Sequence, residues 1–101
     1  MMRDLMAAAI IAGGVMAYST AWASSSEAYL ASTCANCHGT EGRAEPGMVS
    51  LAGRPSAVLR AAMHDFKAGA RPATVMHQLA KGYTDAQIDQ ISDFFAQQAR
   101  P

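Results

Sequence analysis

From residue 24 onward the apolar positions recur at helical intervals, and nothing alternates as a half-buried strand would. Ser24-x-x-Glu27 has the form of a capping box and opens a short helix reaching about Ser32. A Gly-, Pro- and charge-rich stretch from Cys34 to Pro55 predicts a loop. A second helix begins near Ser56, carries Val58, Leu59, Ala62, Met63 and Phe66 along one side, and ends at Gly69. A third, short one spans about Ala73 to Lys81, with Val75, Met76, Leu79, Ala80 and Tyr83 repeating the stripe up to Gly82. Thr84-x-x-Gln87 caps the last helix, Asp85 suits the dipole of its first turn, and Ile88, Ile91, Phe94 and Phe95 form its apolar face. The pattern predicts a small all-α domain of about four short helices.

The first 23 residues obey a different rule. Arg3 precedes an apolar run from Leu5 to Tyr18, and Ala21-Trp22-Ala23 is the small-x-small pattern of a signal-peptidase site. The run is only 14 residues long and is broken by Gly13-Gly14. A membrane span needs about 20. The expectation is a cleaved secretory signal peptide over 1–23, a domain over 24–101, a periplasmic location and no stable membrane insertion after cleavage.

Composition sharpens this. Of 101 residues, 50% are hydrophobic, but the domain after the leader retains only 17 large apolar side chains. A chain under roughly 80 residues with so small a core usually needs a staple. The formal net charge is zero, which argues against a nucleic-acid binder. It conceals a segregation: 46–84 carries five basic residues against Asp65 alone, a local balance of +4, and the flanks 24–45 and 85–101 together carry −4. Read along the chain, that distribution predicts a dipole able to orient a partner.

The staple is visible in Cys34-Ala35-Asn36-Cys37-His38, a C-x-x-C-H sequence, the attachment signature of c-type haem. Two thiols three residues apart can each form a thioether with one vinyl group, and the next residue offers its imidazole to the iron. A disulfide between these cysteines would close too small a loop to restrain the unfolded chain much. A thioredoxin-like pair needs a βαβ setting, which the sequence lacks, and a structural zinc site needs four ligands, usually as two close pairs. His64 and His77 are 13 residues apart and do not supply the second pair.

These residues, with Gly39, Gly42, Pro46, Leu51-Ala52-Gly53, Met76 and Lys81-Gly82-Tyr83-Thr84-Asp85, resemble the class I cytochromes c over essentially all of 25–99. Within that class, Phe66-Lys67-x-Gly69-x-Arg71-Pro72-x-Thr74-Val75-Met76 is most similar to the cytochrome subunits of flavocytochrome c sulfide dehydrogenases and the related periplasmic di-haem cytochromes. With a single C-x-x-C-H, the chain corresponds to one haem domain. The resemblance implies a class I cytochrome c fold wrapped around one covalent haem c, with Cys34 and Cys37 as thioether residues, His38 as proximal ligand and Met76 as distal ligand. It also implies that the Pro46 carbonyl accepts the N–H of the His38 ring. The chain departs from the family pattern at Val49, two residues before Leu-Ala-Gly, where a second proline is common.

The residues themselves leave several candidates for the sixth ligand: Met48, Met63, Met76, His64 and His77. Met76 and His77 are adjacent and point about 100° apart on a helix, so both cannot face one iron. Met76 shares the apolar stripe with Val75, Leu79 and Ala80, which favours it over His77. Met63 belongs to a stripe that packing alone explains, His64 reads as a surface residue, and Met48 in its Pro-Gly loop stays a candidate. Tyr83 and Arg54 are placed either near the haem edge or in ordinary packing and solvent roles.

A His/Met iron has no open position for a substrate, so the expected chemistry is one-electron transfer. The implied partner is a flavin-containing sulfide dehydrogenase subunit. The alternatives are a free electron shuttle and, with an open sixth position, a haem enzyme or gas sensor.

Overall fold

The computed structural model describes residues 26–101. The expected signal peptide over 1–23, and Ser24 of the first capping box, lie outside the described residues. Helix α1 is described over 26–31 and runs through a 3-10 turn, Ser32–Cys34, into the short α2, Ala35–His38. A second 3-10 turn, Thr40–Gly42, leads into an extended loop. Then come α3 (Ser56–Ala68), α4 (Met76–Lys81) and α5 (Asp85–Ala96). There is no strand among the described residues, as the apolar pattern predicts.

Two helix ends follow the local chemistry foreseen for them. Gly69 adopts φ 74°, ψ 13°, and the Ala70 N–H reaches back to the Asp65 carbonyl at 2.8 Å, closing α3 with a left-handed cap. At α5 the capping box is complete: Thr84 Oγ1 accepts the Gln87 N–H at 3.1 Å, and the Gln87 side chain accepts the Thr84 N–H at 2.9 Å. The third helix is shorter than expected. It begins at Met76 rather than near Ala73: Val75 is its N-cap, with φ −132° outside helical geometry.

The core joins α1, α3 and α5. Ala31, Leu59, Ile91 and Phe95 are buried together, with Leu30, Cys34, Leu51, Tyr83 and Phe94 packed around them. Gly42 sits where the 3-10 turn meets this core. It has φ 81°, and a Cβ built there would lie 2.7 Å from the Phe95 ring and 3.0 Å from the Ala52 nitrogen. Gly42→Ala combines left-handed strain with overpacking and should destabilise the protein by about 2–4 kcal/mol, measurable by denaturant unfolding. Ser92 is the opposite case. Its hydroxyl is buried, with 1% of the residue exposed, and has no hydrogen-bond partner. Ser92→Ala should therefore raise stability by about 1 kcal/mol in the same assay.

Packing also changes the meaning of the charge pattern. Helices α3 and α5 lie antiparallel, so Ser56, Arg60, His64 and Lys67 run beside Asp93, Asp89 and Asp85 in reverse order. Arg60 Nε meets Asp89 at 2.8 Å and its Nη2 meets Asp93 at 3.6 Å. Ser56 donates to Asp93, and Lys67 Nζ lies 3.2 Å from Asp85 while donating to the Tyr83 carbonyl at 2.7 Å. His64, expected at the surface, is part-exposed with Nδ1 3.7 Å from Asp85. Two of the five basic residues of 46–84 thus face three acidic residues of the C-terminal flank. The dipole expected from the linear sequence is thereby compensated in part, with Arg54, Arg71 and Lys81 left outside these pairs.

Candidate functional site

From Ala31 to His38 the chain stays right-handed helical or 3-10, so Cys34 and Cys37 lie three residues apart on successive turns of one helical run. Both thiols are free. Cys34 is half-buried against the core cluster, and burial pushes its thiol up from the ordinary range, partly offset by a hydrogen bond from Thr33. Cys37 is exposed. The run ends at Gly39, whose φ of 81° and close approach to the Arg43 carbonyl exclude a side chain there.

His38 is the last residue of α2 and is held by a loop well along the sequence. Its Nδ1 lies 2.6 Å from the Val49 carbonyl oxygen. A carbonyl only accepts, so Nδ1 carries the proton and Nε2 presents a lone pair. This is the arrangement a metal-bound imidazole requires. The acceptor is not the Pro46 carbonyl expected from the family pattern. Pro46 instead occupies the second position of a β-turn closed by the Met48 N–H on the Glu45 carbonyl at 3.2 Å, with Gly47 at φ 96° in the third position. Proline serves that turn, and the chain reaches the imidazole three residues later. Any residue supplies a carbonyl, so side-chain identity carried no signal for Val49. Its place two residues before Leu-Ala-Gly was the usable clue.

The other candidates are distributed as follows. Met76 is the first residue of α4 and is half-buried. His77 follows it, with a buried Nδ1 that has no partner. Met63 is half-buried on α3, and Met48 is exposed. Tyr83 resolves toward packing: it lies against the core cluster, and its hydroxyl is 2.8 Å from Thr33 Oγ1, bracing the residue beside Cys34. Arg54 donates from Nε to the Ser50 carbonyl at 2.7 Å. Several large apolar side chains stay open to solvent, among them Val49, Val75 and Leu79 at 52–53% exposure.

This donor set fits a covalently attached haem. Two free thiols, an imidazole with its Nε2 unengaged and uncovered apolar side chains are what a large, flat, apolar cofactor would use. The all-α fold and this site define a small haem-attachment domain.

Comparison with known proteins agrees. Residues 23–99 match the family described as Cytochrome c, and the chain belongs to that family. It is 41% identical over 66 residues to the cytochrome subunit of sulfide dehydrogenase of Chlorobaculum tepidum, covering 65% of this chain and 60% of that protein. It is 34% identical over 64 residues to the thiosulfate dehydrogenase electron acceptor of Stutzerimonas stutzeri, covering 61% of this chain and 30% of that protein. Cytochrome c4 of Pseudomonas aeruginosa is 35% identical over 69 residues, covering 67% of this chain and 34% of that protein. The chain therefore spans between about a third and three-fifths of these relatives. Membership of this family makes it a class I c-type cytochrome with covalent haem c and a role in electron transfer.

Proposed function

We propose that the chain is a periplasmic one-electron carrier holding one haem through Cys34 and Cys37, with His38 and Met76 as axial ligands, and that it accepts electrons from a flavoprotein that oxidises sulfide. The observation that carries the site is the His38 ring, fixed through Nδ1 by a backbone carbonyl one residue after the second free thiol. Haem c, when bound, supplies an iron couple that changes by one electron. The chain's own residues do the rest. Cys34 and Cys37 would hold the group as thioethers, each S–H adding across one vinyl so that sulfur and proton are both accounted for and no oxidant is needed. His38 would offer Nε2 to the iron while the Val49 carbonyl holds the ring in one tautomer. Met76 would supply a thioether as the second ligand, which would raise the potential and leave no open site for a substrate. His77, with its unpartnered buried Nδ1, is the second candidate for that position.

The sulfide-oxidising partner is supported by the 41% identity to a sulfide dehydrogenase cytochrome subunit. A free shuttle is the second reading, supported by similarity to an electron acceptor and to cytochrome c4. Isolation of the native protein under mild conditions separates them. A flavoprotein coeluting at fixed stoichiometry supports the subunit; a lone cytochrome supports the shuttle. High-spin ferric bands with rapid CO binding would instead indicate an open sixth position.

Arg54, Arg71 and Lys81 have no carboxylate within 4.0 Å among the described residues, and Arg71 lies 5.0 Å from the centre of the Phe66 ring. With so few uncompensated cations, electrostatic steering should be modest. Raising salt from low to physiological should change the rate of electron transfer with a partner by less than about tenfold, as measured by stopped flow.

A further inference from the structure

We propose that Ser50 and Arg54 are positioning residues for the axial imidazole: they aim the Val49 carbonyl at His38 and thereby set how strongly that ring donates to iron. The proposal rests on the haem reading above. The protein packs little against this segment, since the Val49 side chain is 53% exposed and Met48 before it is also exposed, so the direct hold on the carbonyl falls to hydrogen bonds. The restraint comes from the next residue. Ser50 Oγ accepts the Ala44 N–H at 2.9 Å, and the Ser50 carbonyl accepts Arg54 Nε–H at 2.7 Å. The following amide, Leu51 N–H, is fixed on the Gly42 carbonyl at 2.8 Å. Ser50 is thus tied at both side chain and carbonyl, which anchors its Cα, so the planar peptide shared with Val49 is held at that end and turns there only about the Ser50 N–Cα bond. The acceptor then sits 2.6 Å from His38 Nδ1.

Arg54 suits this task. It has no carboxylate within 4.0 Å among the described residues, so no ion pair draws it from the Ser50 carbonyl. Its own N–H lies 3.3 Å from the Leu51 carbonyl across a tight turn containing Gly53 at φ 72°. A strong Nδ1–H···O=C bond makes the imidazole a better donor and favours oxidised iron. Loosening the clamp should weaken that bond and raise the reduction potential.

The test uses matured protein carrying Ser50→Ala, Ser50→Thr or Arg54→Lys. Two quantities are read: the reduction potential by voltammetry, and solvent exchange of the His38 Nδ1 proton by NMR in the reduced state. Ser50→Ala and Arg54→Lys should raise the potential and speed exchange by about three- to tenfold, the equivalent of weakening one hydrogen bond. Ser50→Thr keeps the hydroxyl and should stay near the native values. Arg54→Lys keeps the charge but loses the Nε donor, so its shift cannot come from lost charge, and it tests the clamp if Ser50→Ala does not accumulate. Native potential and exchange in Ser50→Ala and Arg54→Lys would overturn the proposal, as would equal shifts in Ser50→Ala and Ser50→Thr. A denaturing-gel haem stain of the unmutated protein separates the two levels. No covalent haem overturns the haem reading, whereas covalent haem with unresponsive variants overturns only the clamp.

Discussion

His38→Ala should yield almost no holoprotein: a fall of about tenfold or more in haem-stained material relative to total chain, judged by haem stain against immunoblot. Loss of helical stability is not the reason. His38 closes a four-residue helix, is not part of the buried core and makes one side-chain hydrogen bond, to Val49. What disappears is the imidazole that directly follows the second thiol in the chain, and with it the ligand that would hold a cofactor in register while the thioethers form. The fold loses its staple as well as its chemistry, because the described core has only a few fully buried large side chains. Val49→Ala provides the contrast. It removes a half-exposed side chain and keeps the carbonyl, so holoprotein should accumulate as in the native chain.

Met76→Ala should leave a covalent haem protein with a reduction potential lower by on the order of 0.2 V, a fraction of the roughly 0.8 V range that axial ligands span. The oxidised protein should also lose the weak far-red absorption of thioether-ligated ferric haem. A thioether stabilises the reduced state, and alanine offers the iron nothing in its place. The same spectrum tests the second candidate, since ligation by His77 would leave the native protein without that band and its potential unaffected by Met76→Ala. The neighbouring residues make Met76 the better choice. It opens α4 at the end of an exposed, Pro-containing segment, where a side chain can turn toward a cofactor without breaking helix hydrogen bonds.

Much of this architecture is legible locally. Gly69 and the Thr84–Gln87 pair mark helix ends through contacts spanning a few residues, and the structure places both as expected. The C-x-x-C-H run needs no tertiary information either, because one helical run brings its three functional side chains into sequence. The start of α4 is less legible. A stripe of apolar residues continues through Ala73 to Val75, but the non-helical backbone at Val75 overrides the periodicity. The identity of the His38 acceptor lay further out of reach. Side chains carry names and backbone carbonyls do not, so a proline drew the expectation to the turn at Pro46 and away from Val49.

The sequence by itself determined the helical class and the spacing of the two thiols and imidazole that we propose hold the haem, together with a short list of candidate distal ligands. Each follows from covalent spacing or from hydrogen bonds between near neighbours. Tertiary structure decided which carbonyl orients His38, that Tyr83 braces Thr33 beside the attachment cysteine, and that Arg60 and Lys67 face Asp93, Asp89 and Asp85. The physical reason is range. Charges segregated along a chain predict a dipole only until two helices pack antiparallel, and then the same charges, brought within a few ångströms, compensate one another.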